Sequence, residues 1–305
     1  MGKDPSEGSL PTCGNLWLIV KAAIRRYFIS ASNRTIRVED LTPATFSPFG
    51  SVVQNPASHG GAPRLECAVA NQGSAKKWLD ITKMQNWYGM GRSKEAAKVV
   101  MNMFVCSPRR LDSMNGREVF KVGVLERHPF TPQTFVPTGL DGRDQKTCYL
   151  VIVAPTLPLS SRKGDQSDKM EPVYPVPAPQ RKTSLKERLL GARPNLFTND
   201  HTPSTTPTGS WSDAPTPKGP GLPDLGNMRA FIARGDQAVT YGAGTWHAPM
   251  VVLGQQAIEF VVVQYANGVA DEDCQEILLE AGSGEDGVAV LVDSFFDEDP
   301  LKAKL

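Results

Sequence analysis

The chain is broken into short apolar, β-branched runs. Val99 to Cys106 (VVMNMFVC), Val119 to His128 (VFKVGVLERH) and Tyr149 to Pro155 (YLVIVAP) are three of them. Met228 to Ala233, Gln237 to Tyr241, Val251 to Leu253 and Ile258 to Gln264 continue the series. Each is bounded by Gly, Pro, Asn or Asp, the residues that end strands and begin turns. Only Lys76 to Thr82 and the segment after Leu41 read as partly helical, and Ser93 to Lys98 is ambiguous. Many short strands without long helices between them favour an antiparallel sandwich or barrel.

The runs are not spread evenly. Residues 156–223 hold 12 of the chain's 25 prolines and few large apolar side chains. Such a stretch cannot bury enough area to offset chain entropy, so it reads as a disordered Pro-rich insertion in a surface loop. Loop closure entropy grows only logarithmically, so the fold tolerates it. Within it, Thr183 to Gly191 (TSLKERLLG) has the start and stop of one short helix. Residues 1–35 read as an N-terminal extension, disordered or a targeting segment. Its apolar part, Leu16 to Ser30, is interrupted by Lys21, Arg25 and Arg26 and so makes a poor secretory signal. Residues 36–155 and 224–292 then form a single domain, with 293–305 as a tail.

Several function classes are disfavoured. A net charge of +1 lacks the basic surplus that nucleic acid requires. The chain has no apolar run of the roughly 18 residues a membrane span needs. It has no GxGxxG or P-loop pattern for nucleotides. Five cysteines, scattered and odd in number, suggest neither a disulfide framework nor a zinc site. A reducing compartment follows: the cytoplasm, with mitochondrion or peroxisome as alternatives.

Two polar clusters interrupt the apolar strands. Side chains two apart on a strand share a face. Val122, Val124, Glu126 and His128 therefore point one way, and Leu125 and Arg127 the other. Glu126 and His128 sit together at a strand end, where burial is costly unless they find partners. Pro129 and Pro132 turn the chain, and Gln133 and Phe135 follow. The second cluster runs from Tyr241 to Pro249 (YGAGTWHAP), where two glycines make a tight turn and Trp246 and His247 open the next strand.

In outline these clusters resemble the two cupin motifs, which implies a cupin-like antiparallel β-barrel, or double-stranded β-helix, with a few short helices. Glu126, His128, Gln133 and Gly139 fall at the first motif's positions, and Gly242, Gly244 and His247 at the second's. Glu126 stands where a histidine is usual and Gln133 where a glutamate is. The set Glu126, His128 and His247 has the makings of a two-histidine, one-carboxylate metal site. A metal-free hydrogen-bonded pocket fits the same residues nearly as well.

A closer likeness covers nearly all the expected domain. Leu41 to Gly50 (LTPATFSPFG), Asn71-Gln72-Gly73, Val124 to Gly139 (VLERHPFTPQTFVPTG), Tyr149 to Pro155 and Pro223 to Gly254 resemble ureidoglycolate lyase in its fungal form. Ile258 to Val263, with Cys274-Gln-Glu after it, fits the family's C-terminal end. The bacterial pattern has a second histidine where Ala248 stands and Asp-Arg where Gln264-Tyr265 stand. The resemblance implies a carbon–nitrogen lyase of allantoin breakdown, a homodimer, and room for a divalent ion; nickel is associated with bacterial members.

The reaction it implies splits ureidoglycolate into glyoxylate and urea. It needs a base for the hydroxyl proton, a proton for the leaving nitrogen and partners for the carboxylate and urea groups. His247 is the expected base or proton shuttle, with Glu126 or His128 as acid or all three as metal ligands. Asn71, Gln72, Gln133, Arg229, Tyr241 and Trp246 are expected to bind substrate. Arg127, on the other face, ranks below Arg229 as carboxylate partner. The rivals are an amidohydrolase releasing ammonia from the same substrate and a non-catalytic cupin-like protein that binds a small acid.

Overall fold

The computed structural model describes residues 26–59, 65–157, 217–282 and 287–292. The expected helix at Thr183–Gly191, most of the Pro-rich segment and the tail 293–305 lie outside them. Two strands open the described chain: β1 (Arg26–Ala31) and β2 (Arg34–Asp40). The folded part therefore starts before residue 36, inside the segment expected to be an extension. The reason is pairing: β1 lies parallel to a strand near the chain's other end, which sequence periodicity does not display.

Helix α1 (Pro43–Phe46) follows, capped by Thr42, whose hydroxyl accepts from the Thr45 amide while Pro43 opens the first turn. Then come β3 (Gly50–Val53), the hairpin β4 (Cys67–Ala70) and β5 (Ala75–Trp78), and the long β6 (Lys98–Cys106). Part of the Lys76–Thr82 segment, expected to be helical, is thus a strand. The run Val119–His128 divides around Gly123 into β8 (Arg117–Lys121), preceded by β7 (Asp112–Met114), and β9 (Val124–Arg127). The remaining strands are β10 (Gln133–Thr138), β11 (Thr147–Ala154), β12 (Arg229–Ala233), β13 (Ala238–Tyr241), β14 (Trp246–His247), β15 (Val251–Gly254) and β16 (Ile258–Ala266). Helix α2 (Ala270–Asp273), β17 (Gln275–Ala281) and β18 (Val288–Leu291) end the described chain.

Among the described residues the strands form an eleven-stranded sheet, a five-stranded sheet and the isolated β4–β5 hairpin. The large sheet runs β1-β17-β9-β14-β11-β12-β2-β18-β8-β7, with β15 also on β11, and the smaller runs β3-β13-β10-β16-β6. Pairing is mostly antiparallel; β1–β17, β2–β12 and β2–β18 are the parallel exceptions. The chain has a cupin-like β fold.

Strand β11 explains the layering. All eight of its residues are buried. Leu150, Ile152 and Ala154 enter one core with Leu125, Trp246 and Ile277, while Tyr149, Val151 and Val153 enter another with Phe46, Phe135 and Phe260. The strand is thus covered on both faces, and each buried Leu, Ile or Val there contributes about 1.5–3 kcal/mol. Aromatic rings lock the second core, Phe46 meeting Phe231 edge-on at 5.6 Å and Tyr149 meeting Phe260 at 5.1 Å. Among the described residues no helix is long and apolar enough to cross a membrane.

Candidate active site

The two polar clusters meet at one end of the second core. Glu126 on β9 lies directly opposite His247 on β14. The glycine turn brings them together. Gly244 has a φ of +76°, and a Cβ there would meet the Lys218 carbonyl at 2.8 Å, so only glycine fits. Its amide donates to the His128 carbonyl at 2.7 Å, which ties the end of β9 to the start of β14. Thr245 adds a buried bond to the Phe49 carbonyl.

Glu126, His128 and His247 each offer a ligand atom, and these atoms lie within 4.8 Å of one another. His247 Nε2 is 3.5 Å from Glu126 Oε1 and 3.2 Å from Gln133 Oε1. The Tyr241 ring stacks on the His247 imidazole at 3.9 Å and 10°. Gln133, opposite Tyr241 in the neighbouring sheet, donates its amide to Gln264 at 2.7 Å.

The protons can be placed. A main-chain carbonyl only accepts, so His247 Nδ1–H donates to Thr245 and His128 Nδ1–H to Asp273, the latter at 2.6 Å. Both Nε2 atoms are then lone pairs when the rings are neutral. His128 Nε2 is buried without a hydrogen-bond partner. Lone pairs of two imidazoles, a carboxylate and an amide oxygen converge with no hydrogen among them. Such a site calls for a proton on His247 or a cation.

Electrostatics agree. Burial raises the Glu126 carboxyl, but a hydrogen bond from His247 and the charge of that ring when protonated bring it below its usual value. Burial lowers His128, outweighing the pull of Glu126, so it stays neutral. The ionised carboxylate, the bare His128 Nε2 and, without its proton, His247 Nε2 form a donor set that fits a divalent ion, which Glu126, His128 and His247 would hold.

Other expected contacts fall elsewhere. Trp246 faces the opposite side of β14 from His247. It donates to the Gly221 carbonyl and lies under Arg127, whose guanidinium is 4.4 Å from its ring. Arg127 also grips the carbonyls of Gly219, Pro220 and Gly221, so it anchors the last residues of the Pro-rich segment. Arg229 shares the site's face, since Val153 pairs with it on one side and with His247 on the other. Its guanidinium, however, is taken by Glu39 and the Thr45 carbonyl. Asn71 and Gln72 form the exposed tip of the β4–β5 hairpin, both with left-handed backbone. Trp246, Arg229, Asn71 and Gln72 are thus not brought to the triad, whereas Gln133 and Tyr241 are. Two contributors are not among the expected site residues. Gln264 ends the inward row Ile258, Phe260, Val262, a signal that alternation already carried. Asp273 had no local signal, since it acts through its main chain.

Comparison with known proteins narrows the chemistry. The family model described as ureidoglycolate lyase matches residues 33–284. A ureidoglycolate lyase of Schizosaccharomyces pombe is 30% identical over 242 residues, 79% of this chain and 90% of that protein. One from Saccharomyces cerevisiae is 28% identical, covering 79% and 93%. One from Burkholderia mallei is 26% identical, covering 75% and 82%.

Proposed function

The chain belongs to the ureidoglycolate lyase family, and from that premise we propose that it splits ureidoglycolate into glyoxylate and urea at Glu126, His128 and His247. The observation that carries the assignment is the convergence of those three side chains, the half-buried Glu126 and the two buried histidines, on the face that the two sequence signatures share.

The substrate carbon bears a hydroxyl, a carboxylate and a urea nitrogen. Glu126, held ionised, accepts the hydroxyl proton as the carbonyl forms. The C–N bond electrons leave with the nitrogen. His247, paired with Glu126 at 3.5 Å, returns a proton to that nitrogen, so the two residues together move one proton from oxygen to nitrogen. Stacking on Tyr241 and the bond to Thr245 keep the imidazole in place while it does so. Gln133, tied to Gln264, offers amide contacts to the urea or carboxylate group. Arg229 is committed to Glu39, so the carboxylate needs another positive partner. A divalent ion held by Glu126, His128 and His247 would supply that charge and polarise the hydroxyl, and His247, its Nε2 then engaged, would orient the ion in place of carrying the proton.

The assignment extends to assembly and place. The outer side of β6 exposes Val99 (55%), Met101 (68%), Met103 (56%) and Val105 (64%), at the open edge of the smaller sheet. An apolar edge of that kind needs a cover, and a second copy of the chain supplies it, as expected for a homodimer. Cys67, Cys106, Cys148 and Cys274 are free thiols, in keeping with the cytoplasm.

The test is product analysis in a urease-free assay. Urea and glyoxylate in equal amounts are expected. Free ammonia without urea would instead mark the amidohydrolase, and no turnover would mark the binding protein.

A further inference from the structure

His128 is aimed by a structure outside the triad. Its Nδ1–H donates to the Asp273 carbonyl, at the end of α2. That carbonyl is held in turn by the Asp273 side chain. The carboxylate accepts from the Asn267 amide at 2.9 Å, the Gly268 amide at 2.8 Å and the Tyr88 hydroxyl at 2.7 Å. Tyr88 is fully buried, and its ring packs on Phe130, two residues beyond His128, at 5.7 Å. The neighbouring Trp87 amide donates to the Phe130 carbonyl at 2.8 Å. The loop around Tyr88 therefore grips the chain just after His128 and the carbonyl that His128 donates to.

We propose that Asp273, with Tyr88, is a positioning pair that fixes His128 as the Nδ1–H tautomer, with Nε2 bare toward Glu126 and His247. Asp273 meets the triad through its carbonyl's bond from His128, and Tyr88 acts on that bond through the Asp273 carboxylate. If the Asp273 carbonyl drifts, His128 can carry its proton on Nε2, and the lone pair facing the substrate or a cation is lost. Outer partners of this kind set the tautomer and ring direction of an imidazole. The inference rests on the lyase reading only for its kinetic consequence, since the tautomer is defined without turnover.

The experiment uses the full chain with labelled histidine, of which it has 4. Long-range nitrogen–proton spectra assign the protonated ring nitrogen of His128, identified by its loss in His128→Asn. In the wild type His128 is expected as Nδ1–H. In Asp273→Ala the signal is expected to split between tautomers, with kcat falling about ten-fold and KM changing far less. Asp273→Asn, which retains an acceptor, is expected to restore most of both. If Asp273→Ala does not fold, Tyr88→Phe removes one hydroxyl and is read the same way. An unchanged His128 signal in the folded variant, whatever its activity, would overturn the proposal. The lyase reading is tested separately by His247→Asn, so either can fail while the other stands.

Discussion

His247 Nε2 faces the Glu126 carboxylate at 3.5 Å from a directly opposed position on the adjacent strand. The pairing register places the two side chains on one face, so neither can leave the other without breaking the sheet. Glu126→Gln keeps the shape and removes the charge. It is expected to lower kcat by about 10²–10⁴-fold, the range for losing a positioned proton-transfer group. Urea release under saturating substrate measures it.

His128 tests the cation. Its Nε2 has no protein partner. The wild-type protein is expected to retain a stoichiometric divalent ion through dialysis, and His128→Ala to lose it. Elemental analysis of the two proteins reads this without an activity assay.

Much of this arrangement was legible in the sequence, because strand periodicity is local. Alternation placed Glu126 and His128 on one side and Arg127 on the other, and the structure has Arg127 stacked on Trp246 behind the sheet. The glycine turn before Trp246 announced a strand start, and β14 begins there. The main failures are long-range. Arg229 looked like a carboxylate reader because nothing nearby showed that β2 would lie parallel to β12 and bring Glu39 against it. Strand β1 looked dispensable because its partner is β17, at the far end of the chain. Trp246 was grouped with His247 by adjacency, although neighbours on a strand face opposite ways.

Acid should loosen the loop that carries Tyr88. Burial raises the Glu272 carboxyl, but bonds from the Ser93 amide, the Ser93 hydroxyl and Asn267 bring it below the usual 4.5. A depressed folded value means that the ionised form stabilises the fold. That contribution is complete above 4.5 and is lost as pH falls through the lower folded value. Glu272→Gln is expected to be less stable at neutral pH and to show a shallower decline in acid. Urea unfolding across a pH series compares the slopes.

The exposed face of β6 should control assembly. Met101→Glu with Met103→Lys places charges where a second copy would pack. Sedimentation is expected to give a dimer for the wild type and a monomer for the double variant, with the far-ultraviolet spectrum unchanged.

The most direct measurement follows urea and glyoxylate together as ureidoglycolate is consumed by the wild type and by His247→Asn. Equal yields of both products from the wild type, and a rate at least about 10²-fold lower for the folded variant, are the expected results. Ammonia in place of urea, or an undiminished rate without the imidazole, would contradict the account.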